Sequence, residues 1–590
     1  MDQQKRLLLT VVLSTALMFV WMQFFAPPPK KPGAPDAGVA AQVVDAGTKA
    51  VEALAAAEPA AAEPPSGDEP APVKRPEQLI QWSTPAQQLE FTNQGGGLNK
   101  AIVKSGEKWP SYKFEQRVKG TKETVPVDLV TRRAGQPVPG ASEVSGDARV
   151  PFEASYEAAK TEKGVLFTGG SAEVGVEKSF EVNPNGYDLK ARYSVTNRSA
   201  ESKKLKLAVV FPSWIDPATQ GKGSFFAPPP EASEAVARSG KSVERLGIDD
   251  KVKTETYEGP VSFVGFDQRY FLGAIFPAAG DATRAELTSK PEGEFLAHLE
   301  FDLGTVAPGQ TVSRDLGFYF GPKSLDVLEK VSTAAATGAG LVSMDQELGA
   351  AGAETALNPR LDEAIDFGWW AVICRALLWV MKSFQSVVVN WGLAIVLLTV
   401  LVKLLLYPLS HKQMESMEAM RRLQPQMNEL AKKFEGDKEK LNVERMRLFQ
   451  ENKVNPFGGC LPLVVQMPVW FALYRTLLSS FELFHEPLIA PWIMDLTQPD
   501  PLYILPLAMG VTMFVTQKMQ PQMGDPTQAK VMLYFMPIFF TFIMLSLPAG
   551  LTLYIFTNNL LSIAQQKWLQ RKFNLKHGPA PTGLAGAAGK

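Results

Sequence analysis

Residues 391–409 read WGLAIVLLTVLVKLLLYPL. A helix of this length crosses a hydrocarbon layer of about 30 Å, and the run carries one charge, Lys403. An ammonium inside such a span is costly. It either reaches the headgroups on its flexible stem or sits in a wet cavity. Thr399 lies one turn before it on the same helix face, and Tyr407-Pro408 follows about one turn after. The stretch makes the chain a membrane protein and Lys403 its first candidate functional residue.

Four more apolar spans follow, at about 461–480, 502–517, 531–547 and 551–566. The intervening loop 410–456 carries ten basic residues, whereas loop 481–500 has none and holds Glu482, Glu486, Asp495 and Asp500. The end of the chain adds Lys567, Arg571, Lys572 and Lys576. The positive-inside rule then puts loop 410–456 and the tail 571–590 in the cytoplasm. At the other end, Lys5 and Arg6 precede the apolar residues 7–25. Phe24, Phe25 and Pro27 stand where a cleaved leader would have small residues, so residues 1–25 read as an uncleaved anchor. The expectation is six transmembrane helices, an N-terminal anchor plus a five-helix core over 385–570, with both termini cytoplasmic and residues 26–390 outside.

The outside region divides by composition. Residues 26–78 are rich in Ala, Pro and Glu and read as a disordered tether. Residues 79–325 show period-two alternation, as at Leu189, Ala191, Tyr193 and Val195, and turn signals such as the NPNG at 183–186. These predict one large all-β sandwich. Residues 361–384 place Leu361, Ile365, Trp369, Ile373 and Leu377 at helical spacing with charges between. That predicts an amphipathic helix, lying in the membrane surface or covering the β domain. Loop 410–456 has Met414, Met417, Met420, Leu423, Met427, Leu430 and Phe434 every three or four residues, then a turn and a second helical stretch. This is an antiparallel cytoplasmic hairpin. Its methionine stripe is either the hairpin's own seam or an adaptable docking surface, and Arg421 and Arg422 add basic contacts for headgroups or RNA.

Gln466, Thr541, Asn558 and Asn559 add polar groups to other spans. They either line a groove with Lys403 and Thr399 or hydrogen-bond between helices. The spans 502–517 and 531–547 cover about 24–26 Å as helices, short enough to thin the bilayer. Catalysis finds no footing: no HExxH, GxSxG or complete phosphate loop is present, and the four histidines are scattered. Net charge is −1, which argues against a nucleic-acid binder. No cofactor and no metal is called for. A transporter or channel, and a membrane-anchored carbohydrate-binding protein, are the alternatives read from the spans and from the β region.

The segments WGLAIVLLTVLVKLLLYPLS, MRRLQP, KVNPFGGCLPLVVQMPVWFALY, DPLYILPLAMGVTMFVTQKM and PAGLTLYIFTNNLLSIAQQ occur in this order between residues 391 and 566. They resemble the YidC/Oxa/Alb membrane insertase family, in its Gram-negative form with a large periplasmic domain. The resemblance implies a β-supersandwich for 79–325, no enzymatic activity and a place in the bacterial inner membrane. It also implies nascent membrane proteins as substrates, with the Sec translocon, the ribosome and the lipid bilayer as partners. Lys403 falls on the basic position of the family's hydrophilic groove, usually arginine. Thr399 and Tyr554 fall on the path along which substrate slides. Ile555 replaces an aromatic residue common after that tyrosine.

Overall fold

On strand Asp188–Asn197 the side chains of Leu189, Ala191, Tyr193 and Val195 are buried, and those between them are half-buried. This is the pattern of a strand with one face on a core. The strand pairs antiparallel with Val174–Val182 on one side and Thr311–Pro322 on the other. These three belong to a nine-stranded sheet ordered Ser242–Leu246, Glu234–Ser239, Val261–Asp267, Phe271–Pro277, Thr311–Pro322, Asp188–Asn197, Val174–Val182, Gly164–Gly170, Glu157–Lys160. A five-stranded sheet, Lys253–Glu258, Arg284–Ser289, Glu294–Val306, Lys203–Trp214, Ser142–Gly146, packs against it. Ring pairs such as Phe266–Phe295 at 5.3 Å and Phe211–Phe320 at 5.7 Å fill the layer between them. The result is a β-sandwich. A small sheet, Leu79–Ser83, Gln87–Thr92 and Gly97–Val103, stands beside it.

This computed structural model describes residues 75–104, 114–117, 124–217, 233–278, 282–336, 358–434, 437–452, 454, 461–519 and 531–577. The expected anchor 1–25 and the tether up to residue 74 lie outside them.

One charge lies inside the sandwich. Lys178 is fully buried at an inward position of its strand, among Val174, Val176, Phe180 and Val182. Its Nζ donates to the carbonyls of Gly95 (2.6 Å), Gly96 (3.3 Å) and Gly140 (3.4 Å). It also stands 4.4 Å from the centre of the Tyr156 ring. All three glycines take left-handed φ, between 60° and 83°, a conformation that costs glycine little. Burial pushes the Lys178 ammonium well below its ordinary range. The unfolded chain therefore holds a proton that the folded chain releases earlier, and stability rises with pH up to the ordinary lysine range. Lys178→Met leaves the buried Gly95 and Gly96 carbonyls without this donor, while Gly140 O keeps the Tyr193 hydroxyl at 2.8 Å, at a cost of about 1–3 kcal/mol. The deficit should widen from pH 7 to pH 9, read by hydrogen exchange of strand Val174–Val182. A deficit that stays constant or narrows would contradict this account.

The helical part opens with α1 (Leu325–Ala336), followed by a 3-10 turn at Leu361–Ala364 and another at Gly368–Trp370. Then come α2 (Ala371–Val388), α3 (Trp391–Leu405), α4 (Tyr407–Lys433), α5 (Lys438–Glu451), α6 (Leu461–Ser479), α7 (Ile504–Met519), α8 (Met536–Met544) and α9 (Ala549–His577). The single helix expected over 361–384 is thus broken. Gly368 takes φ 59° and its N–H is held by Asp366 Oδ1 at 2.9 Å, which ends one turn and starts the next. Leu361 and Ile365 are buried before that break and do not share a face with Ile373. On α2 both cations turn toward protein. Arg375 pairs with Asp362 (2.8 Å) and Glu329 (3.2 Å), and Lys382 with Asp326 (2.7 Å) and Glu482 (3.0 Å). Val372, Trp379 and Val387 face outward, 70–83% exposed.

By length and composition, one described helix suffices by itself to cross a membrane, Gly368–Val388. Residues 391–405 and 407–433 qualify as a bent pair, and Ile504–Met519 and Leu533–Met544 are shorter apolar helices. Among these the first is the segment read above as an amphipathic surface helix.

The sandwich and the helices meet at a dense junction. Phe481, from a 3-10 turn after α6, lies 5.4 Å from Phe114 and 5.7 Å from Phe271, and Phe484 lies 4.6 Å from Tyr270. Beside these rings Asp267, 6% exposed, receives Lys323 Nζ at 2.6 Å and the Arg245 guanidinium. Arg245 also donates to Ala364 O at 2.7 Å, and Arg238 pairs with Glu363 at 2.6 Å. The chain entering α2 is thereby fastened to the edge of the nine-stranded sheet.

Candidate functional site

Asn390 starts α3. Its side-chain oxygen accepts from Leu393 N (2.9 Å), and its amide donates to Leu488 O (3.2 Å) in the segment between α6 and α7. The helix ends because Pro408 has no N–H for the Leu404 carbonyl and its ring crowds that turn. The axes of Trp391–Leu405 and Tyr407–Lys433 differ by 68°.

Lys403 is half-buried near the end of α3. Its Nζ donates to Ser562 Oγ on α9 at 2.9 Å. It forms no ion pair among the described residues. Ser562 Oγ donates in turn to Asn558 O at 2.7 Å. The Asn558 side-chain oxygen accepts from Gln466 Nε2 of α6 at 2.9 Å, and Tyr554 OH lies 3.5 Å from the same nitrogen. Tyr554, Asn558 and Ser562 recur every four residues and so share one face of α9. A chain of hydrogen bonds therefore joins α3, α9 and α6 around one cation. Ser562 escaped the reading of the sequence. The four-residue spacing from Asn558 was its signal, masked by the ease with which serine bonds within its own helix.

Not every expected residue joins this chain. Thr399 is 1% exposed, and its hydroxyl donates to Ile395 O at 2.7 Å within α3. A threonine in an apolar helix satisfies itself in this way, so Thr399 contributes packing and not a polar wall. Thr541 does the same with Pro537 O (2.7 Å) and packs against Gly510. Asn559 lies on another face from Asn558, and its Nδ2 is buried without a hydrogen-bond partner among the described residues.

The hairpin of α4 and α5 corrects the expected docking surface. Met420 (1% exposed) and Met427 (5%) pack with Leu423 and with Phe449 of α5, and Met417 packs against them. They form the seam, because apolar side chains at three- and four-residue spacing meet the opposing arm before any partner. Met414 and Met417 line a small pocket with Met519 of α7 and Gln566 and Leu569 of α9. Arg421 and Arg422 converge on Glu418, itself 5% exposed, at 2.9 and 3.7 Å.

The comparisons with known proteins cover both regions. The family described as "60Kd inner membrane protein" matches residues 383–576, and the "YidC periplasmic domain" matches residues 80–380. "Membrane protein insertase YidC" of Anaeromyxobacter sp. (strain Fw109-5) is 40% identical, over 86% of this chain and 87% of that protein. Its counterpart in Anaeromyxobacter dehalogenans (strain 2CP-C) is 38% identical over 99% of both. Among solved structures, "Active YidC insertase crystal structure with the first transmembrane domain resolved" aligns at 19% identity and a TM-score of 0.37, over 85% of this chain and 95% of that one. With sequence matches running the length of both the sandwich and the helical core, the chain belongs to the YidC family of inner-membrane protein insertases.

Proposed function

We propose that the chain inserts nascent membrane proteins and helps them fold, alone or beside the Sec translocon, through a polar groove formed by α3, α6 and α9. The observation that carries this reading is a lysine cation in an apolar helix, bonded to a hydroxyl and, among the described residues, to no carboxylate. Such a cation attracts an acidic segment of substrate, while the apolar helix of the same substrate passes into lipid along the exposed face of α3 at Leu393, Leu397 and Leu404; Tyr554, 2% exposed, is not on that path. Residues 391–409, 461–480, 502–517, 531–547 and 551–566 act as five spans, with residues 1–25 as a sixth and both termini cytoplasmic. The sandwich is periplasmic. Helix α2 lies in the outer membrane surface, since its cations face protein and Val372, Trp379 and Val387 face out. The hairpin and the basic tail meet the ribosome and anionic headgroups.

The purified full-length chain in liposomes should insert a single-span substrate, scored by protease protection, with no nucleotide and no other protein. Ion flux without substrate, and no protection, would favour a transporter or channel instead.

A further inference from the structure

We infer that Ser562 is the positioning residue of the groove lysine, and that its neutrality sets the groove's preference for acidic segments. The inference rests on the insertase reading above. Three observations support it. Ser562 is the one hydrogen-bond partner of Lys403 among the described residues, at 2.9 Å across two helices far apart in sequence. Its hydroxyl proton is committed to Asn558 O at 2.7 Å, so the oxygen faces Lys403 with its lone pairs. That acceptor is a backbone carbonyl fixed by α9, and the Asn558 side-chain oxygen accepts separately from Gln466 of a third helix at 2.9 Å.

The chemistry of this arrangement is specific. A lysine stem has four rotatable bonds and would otherwise carry its ammonium to the headgroups. A hydroxyl acceptor holds the ammonium in place without cancelling its charge. A carboxylate there would hold it more strongly but would neutralise it, and a substrate carboxylate would then have to compete with a permanent neighbour. Two donors of the ammonium are left for the incoming segment. Ser562 therefore acts through Lys403 and makes no contact with substrate in this scheme.

The test uses the full chain in liposomes and two single-span substrates that differ only in an acidic or neutral translocated tail. The readout is the ratio of their insertion, which is indifferent to a uniform loss of folded protein. Ser562→Asp should lower the acidic-to-neutral ratio by about tenfold, toward one. Ser562→Asn, of nearly the same size, should not. Ser562→Ala should lower the ratio two- to fourfold, with Ser562→Thr restoring it, and should have no further effect in a Lys403→Ala background. If Lys403→Ala abolishes the ratio while every Ser562 variant leaves it intact, the inference is overturned and the insertase reading stands. If Asp and Asn lower it alike, the serine is a packing residue and the inference also fails. If the wild type shows no dependence on tail charge, the attraction reading itself is wrong.

Discussion

Lys403→Ala is expected to reduce insertion of an acidic-tailed substrate by ten- to a hundredfold. The size follows from Coulomb's law. A carboxylate about 6 Å from the ammonium, at an effective dielectric constant of 20–40, gains about 1.5–3 kcal/mol. Alanine removes that term and leaves Ser562 and Asn558 bonded to each other. Lys403→Arg keeps the charge on a longer, planar head and should retain insertion within about threefold. Substrates with a neutral tail should lose far less from either change. Equal losses for acidic and neutral tails would show that Lys403 supports the bundle and does not recruit charge. A full complement of insertion by the alanine variant would reduce the lysine to a snorkelling anchor.

The second large effect is one of stability. Asp267 lies between Lys323, 4% exposed, and Arg245, at the junction of the sandwich with the helices. Asp267→Ala would leave the buried Lys323 ammonium without its carboxylate and the largely buried Arg245 guanidinium with only the longer pair to Glu234, at 3.8 Å. Removing one partner of such a pair costs about 3–5 kcal/mol. Burial already pushes the Lys323 ammonium below its ordinary range, and Asp267 opposes that shift. Without the carboxylate, Lys323 titrates lower still. The loss should also free Arg245 from its geometry toward Ala364 O and loosen the chain entering α2. A chain of this size does not unfold in one step, so the measurement is local. Hydrogen exchange should speed up at least about a hundredfold in strand Val261–Asp267 and around residues 361–366. Unchanged exchange at 361–366 with faster exchange in the strand would show that the ring cluster of Phe114, Phe271 and Phe481 holds the junction alone.

Much of this architecture was legible in the sequence because two periods dominate it. Alternation at Leu189, Ala191, Tyr193 and Val195 marks a half-buried strand, and that strand lies at the heart of the larger sheet. The same alternation runs through Val174, Val176, Phe180 and Val182, with Lys178 in step. A cation in step with core residues was therefore visible, but its cage of carbonyls comes from glycines about 40 to 80 residues away. The methionine period predicted a hairpin face but could not say which surface it meets. Apolar windows located the helices α3, α6, α7 and α8 and the start of α9, yet α9 continues to His577, well past the apolar run 551–566, because helix propensity does not stop where hydrocarbon would. The site was half legible. Lys403, Gln466 and Asn558 stand out as polar groups in apolar runs, Tyr554 entered through the family resemblance, and Ser562 links Lys403 to the other three. Ser562 shows locally only as a four-residue spacing from Asn558, and Thr399 could bond within its own helix as readily as across the bundle; that Ser562 meets Lys403 depends on which helix faces which, and no local pattern contains that.

The bend after Leu405 turns α4 into a lever. Its 27 residues make an arm of about 40 Å, held beside α7 and α9 by Met414 and Met417. From Met417 to its far end the arm is about 24 Å long, so a rotation of about 10° there would sweep the tip through roughly 4 Å. Such a rotation would set the search volume of the tip while leaving Lys403 and Ser562 in place. Shortening α4 by two turns would shrink that search volume without touching a single groove residue.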